Sequence, residues 1–69
     1  MISDDQELAV TQERVQQLER LVASIRRTER NPENYHLSAG GFLAEIDRMN
    51  LEIRDYLWSQ PVAAEPVAA

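Results

Sequence analysis

The chain has 69 residues, no cysteine, 28% charged residues and a formal net charge of −5. That length allows one domain at most, and a single core in so short a chain rarely supplies more than ~3–5 kcal/mol without crosslinks, metal or oligomerisation; with disulfides excluded, the shortfall is expected to be met by metal, a partner or self-association. No run approaches the ~20 apolar residues of a transmembrane helix, and the opening MISDDQELAV lacks the basic and apolar regions of a signal peptide, so a cytoplasmic protein with no membrane partner is expected.

The first ten residues carry Asp4, Asp5 and Glu7 and are expected to form a lead segment, residues 1–10. Val15, Leu18, Val22 and Ile25 then recur at spacings of three and four, with Leu21 at the margin, which predicts an amphipathic helix. Thr11 suits its N-cap, with Val10 and Val15 as a hydrophobic staple. SDDQ, from Ser3, is a rival capping box, and Leu8 is in phase with Val15 and Val22, so residues 3–9 are an alternative extra turn. All seven basic residues are arginine, and the one basic cluster, RRTER (Arg26 to Arg30), falls at the end of this helix. Positive charge is favoured there by the helix dipole. A nucleic-acid surface needs a wider basic face and a reading motif, so nucleic acid is not an expected partner.

Asn31-Pro32 ends the helix, because the residue before proline is pushed away from the α region. The same pair can open the next one, with Asn31 as N-cap and Pro32 as its first residue. Ala39, Phe42, Ile46, Met49, Ile53 and Tyr56 form the second apolar stripe, flanked by Leu43 and Leu57, and the helix should end near Trp58, before Pro61. Two interior glycines would cost ~0.8–1 kcal/mol each relative to alanine, so Gly40-Gly41 favour a short turn at 32–37 and a main helix from about Ser38. The fold class is therefore all-α: an antiparallel two-helix hairpin over 11–58, completed to a four-helix bundle by homodimerisation. The tail from 59 to 69, with PVAA twice around a glutamate, is expected to be disordered.

Glu33 and His36 spell Glu-x-x-His, a spacing used by carboxylate-bridged di-metal bundles. Tyr35, Ala39, Phe42 and Ile46 run along the buried line and turn both residues to its flanks, and the first helix offers no interior carboxylate to complete a site. A ferritin-like metal-binding hairpin is therefore the third reading, and no cofactor is expected. There is no cysteine nucleophile, no phosphate-cradling loop with lysine, and no second histidine, while Ser38 and Ser59 lack a base. The chain does not read as an enzyme.

The second helix is apolar over a wider arc than one neighbour covers. Leu51 and Trp58, seven residues apart, lie outside its main stripe. Leu43, Met49, Leu51, Tyr56, Leu57 and Trp58 are thus the candidate interface, first of all with a second copy of the chain.

The order LAVTQERVQQLERLV, an Asn-Pro break, then AEIDRMNLEIRDYL resembles the helical segment that opens Xre-type antitoxins of bacterial toxin–antitoxin pairs. The likeness spans residues 2–57, with Leu8 to Thr11 similar to an extended lead and Glu52, Ile53 and Tyr56 similar to a closing Glu-Ile-x-x-Tyr pattern. It implies a non-catalytic helical protein that binds a partner such as a toxin. Those antitoxins continue into a helix-turn-helix domain that this sequence lacks, so partner binding, and not DNA binding, is what the resemblance carries over. A self-associating scaffold is the alternative.

Overall fold

The structure is a computed structural model that describes residues 1–59. These form two helices and no strand: α1, Asp5–Thr28, and α2, Pro32–Trp58. With 24 and 27 residues they are rods of about 36 and 40 Å at ~1.5 Å per residue.

α1 starts six residues before the expected Thr11. The Asp4 side chain accepts a hydrogen bond from the Glu7 N–H at 2.8 Å, and the Glu7 carboxylate accepts from both the N–H and the hydroxyl of Ser3, each at 2.8 Å. This reciprocal box is the Ser3 alternative moved on by one residue, and it satisfies donors that an uncapped first turn leaves free. Thr11 is consequently an interior residue. Val10 stands exposed, so it makes no staple with Val15, and Leu8 to Thr11 are helical where the antitoxin likeness implied an extended lead. The expected lead of residues 1–10 shrinks to 1–4.

At the other end the Thr28 hydroxyl donates to the Ser24 carbonyl at 3.1 Å and the Glu29 N–H to the Ile25 carbonyl at 2.7 Å, with Arg26 and Arg27 in the last turn. Only Glu29, Arg30 and Asn31 connect the helices. The Asn31 side chain accepts from the Glu33 and Asn34 N–H groups at 2.8 and 3.2 Å, and Pro32 follows as the first helical residue.

From that cap α2 runs without a break, so the turn expected at 32–37 is helix and both glycines lie inside it. A helix start fixed by Asn31 and Pro32, together with Tyr35 and Ala39 packing on α1, outweighs the two glycine penalties. The Ser59 N–H closes α2 by donating to the Asp55 and Tyr56 carbonyls, each at 3.1 Å. The rest of the expected tail, from Gln60, lies outside the described residues.

The helices pack antiparallel as a hairpin, as the matched stripes require. The Arg26 guanidinium lies over the Tyr35 ring, 5.4 Å from its centre, and the Tyr56 hydroxyl donates to Asp5 Oδ1 at 2.6 Å. On each helix twenty-one residues separate these two contacts. One register therefore holds from the turn to the free ends. Between them Val15 and Val22 of α1 meet Ala39, Ile46 and Met49 of α2, with Leu18, Tyr35 and Ile53 packed against this core. Ala39, fully buried, has the smallest of these side chains and sits where the helices approach. Among the described residues no large side chain is buried completely. The core is a single seam.

Candidate interaction surface

At about 100° per residue, counted from Ile46, the α2 face turned to α1 spans from Met49 at about −60° to Ala39 at about +20°. On the positive side of that seam Asn50, Leu43, Arg54, Asp47, Trp58 and Leu51 follow in order, from about +40° to about +140°. Ala44 and Leu37 come next. Exposure of the large apolar side chains there decides the character of the surface: Leu37 82%, Leu43 43%, Leu51 55%, Leu57 61% and Trp58 83%. Scattered exposed apolar residues are ordinary; here several share one side of one helix.

The negative side of α2 is built differently. Arg48 bonds both Glu45 and Glu52, the latter at 2.7 Å, and the amino group of Met1 stands 3.8 Å from Glu52. The Glu45 carboxyl is held below its ordinary range by the hydrogen bond from Arg48, and the Arg48 guanidinium is pushed up by the same bond and by the charge of Glu45. This ion-pair ladder keeps that side in water. The two sides of α2 are therefore unequal, and only one is apolar.

Of the six residues proposed from sequence, Leu43, Leu51 and Trp58 stand on the apolar side, and Leu57, at about +20°, is 61% exposed at its border with the seam. Met49, 5% exposed, belongs to the seam with α1 and is not on offer to another chain. Tyr56 is half-buried at the seam's edge, its hydroxyl committed to Asp5. Asn50, Ile53, Arg54, Leu57 and Trp58 line a shallow hollow in this surface. Leu37 was missed because 32–37 was expected to turn; once the helix is carried back to Pro32, Leu37, Ala44, Leu51 and Trp58 fall at intervals of seven. Phe42, expected on the buried stripe, sits at the margin of exposure.

Glu33 and His36 lie exposed on the first turns of α2, and the His36 ring is tilted against Tyr35, with centres 5.8 Å apart. Among the described residues no group of three or more His, Cys, Asp or Glu is placed to hold a metal ion. No helix of the described residues is long and apolar enough to cross a membrane. Compared with protein-family models, with curated proteins and with solved structures, the chain matches none.

Proposed function

We propose that this protein works by protein–protein association through the apolar side of α2, without catalysis, and that its first partner is a second copy of itself. The observation that carries the reading is the run of exposed Leu37, Leu43, Leu51, Leu57 and Trp58 beside a core of one seam. Pairing two hairpins along α2 produces a four-helix arrangement and removes Leu43, Leu51, Leu57 and Trp58 from water, each fully buried leucine contributing ~1.5–3 kcal/mol. Two-fold symmetry is the default for such a pair. In this reading the assembly is an antitoxin-like regulatory partner, the role the sequence resemblance supports.

Sedimentation equilibrium over a hundredfold concentration range tests the pairing. A monomer–dimer equilibrium that Leu43→Ala and Leu57→Ala weaken is expected. A folded monomer throughout would overturn the homodimer.

A further inference from the structure

Asp47 and Arg54 are out of place on the apolar side of α2. On the helix Asp47 is flanked, three and four residues away in both directions, by Leu43, Ala44, Asn50 and Leu51, and Arg54 by Asn50, Leu51, Leu57 and Trp58. Among the described residues Asp47 makes no ion pair, and Arg54 has one contact, to the adjacent Asp55 at 3.5 Å. Opposite charges two turns apart, one above the other on the same face, cannot meet within one helix. They meet when the helix is paired with an inverted copy of itself.

The geometry points to an antiparallel α2–α2 pairing with its two-fold axis close to Asn50, in which Asp47 of each chain meets the partner's Arg54. This rests on the self-association proposed above and adds its orientation and register. Inversion about Asn50 brings each Asp47 to within a turn of the partner's Arg54, a gap that the long arginine side chain spans, and symmetry makes the ion pair twice. The same operation carries Leu43 to the hollow lined by Asn50, Ile53, Arg54, Leu57 and Trp58 on the opposing helix. A parallel pairing would instead set Asp47 against the partner's Asp47 and Arg54 against the partner's Arg54, and like charges in such positions select against an arrangement. The Glu45–Arg48–Glu52 ladder, with the Met1 amino group as its second cation, pairs its charges within one chain, whereas Asp47 has no such partner.

Charge exchange tests the register. Asp47→Arg and Arg54→Asp should each weaken self-association by about tenfold or more, since each turns two attractive pairs into two repulsive ones. An equimolar mixture of the two variants should pair as tightly as wild type, because every contact in the mixed dimer is then between opposite charges, and the double variant Asp47→Arg with Arg54→Asp should recover self-pairing. Since the chain has no cysteine, a single introduced thiol reports only on the copy. Asn50→Cys should crosslink to itself on oxidation; Leu43→Cys should not, its two copies standing about 21 Å apart along the axis at ~1.5 Å per residue. Circular dichroism of each variant confirms that the helices are intact. If wild type dimerises while both charge variants self-pair equally well, or if Leu43→Cys crosslinks as readily as Asn50→Cys, the register is overturned and the pairing stands. A monomeric wild type would overturn both.

Discussion

Tyr56 shows how a single side chain reports the closure of this hairpin. Its hydroxyl donates to Asp5 at 2.6 Å, tying the last turn of α2 to the first turn of α1. That hydrogen bond, then partial loss of water, then the negative charges of Asp5, Asp4 and Glu7 disfavour the phenolate and push Tyr56 up to about 12 from an ordinary 10.0. The folded state therefore keeps a proton that the unfolded chain gives up. The stabilisation is fully present below pH 10 and is lost as the pH rises through 12. The chain has no lysine to titrate in the same window. Thermal melts between pH 8 and 12 should show a decline above pH 10 that Tyr56→Phe reduces; an equal decline in both proteins would exclude the Tyr56–Asp5 bond as its source. Tyr56 on the second stripe was readable from spacing, because spacing of three and four fixes a helix face. Its partner was not, because the polar residues 4–7 carry no apolar periodicity to show that Asp5 opens a helix.

At the scale of the helix, both boundaries that differ from expectation lie at N-termini: two capping signals compete for the start of α1, at Thr11 and near Ser3, and in α2 the Asn31 cap competes with two glycines. The apolar stripe of α1 becomes continuous only from Val15, yet Asp4 and Glu7 start the helix at Asp5, nearly three turns earlier, by satisfying backbone and side-chain donors. The Glu7 carboxyl is held below its ordinary range by the Ser3 N–H and then by the Ser3 hydroxyl. Its contribution is accordingly present above pH 4.5 and is lost as the pH falls through the lowered folded value, so α1 should fray from this end in acid, measurable as lower protection factors, relative to the intrinsic exchange rate at each pH, for the amides of its first turn.

Asn31 does for α2 what Asp4 does for α1. Asn31→Ala should cost ~1 kcal/mol, within a range of about 0.5–2, while Asn31→Gly should cost only a few tenths; urea midpoints decide between a cap and an inert linker. Gly40 and Gly41 lie inside α2 without breaking it. Neither has any atom within 4 Å of where a Cβ would stand, so within the hairpin no close approach requires them. Gly41, turned away from the pairing side, is the cleaner case: Gly41→Ala should raise the stability by about 0.5–1 kcal/mol. A loss of stability there would show that something does approach this backbone.

For the molecule as a whole, the question is whether one seam of partly buried side chains suffices. The hairpin architecture and most of its core were legible, since two stripes of similar length with a short break between them admit little else. Which apolar residues remain outside was not legible to the same degree: Met49 turned inward while Leu37 came into register, because sequence spacing places a residue on a face without saying how far the neighbouring helix reaches round it. If the outward set is a dimer surface, folding and pairing are linked, and mass action enters the stability. A hundredfold rise in concentration is worth ~2.7 kcal/mol per dimer. For chains of this size that corresponds to a rise in Tm of about 5–10 °C. Two substitutions then separate seam from surface. Ile46→Ala removes a seam residue and should cost ~2–5 kcal/mol, lowering Tm at every concentration while leaving its dependence on concentration in place. Leu43→Ala leaves the seam in place; it should lower Tm at high concentration toward the dilute wild-type value and flatten its dependence on concentration. A wild-type Tm that does not move with concentration would mean that the seam stands alone, and that the apolar side of α2 contributes nothing to folding.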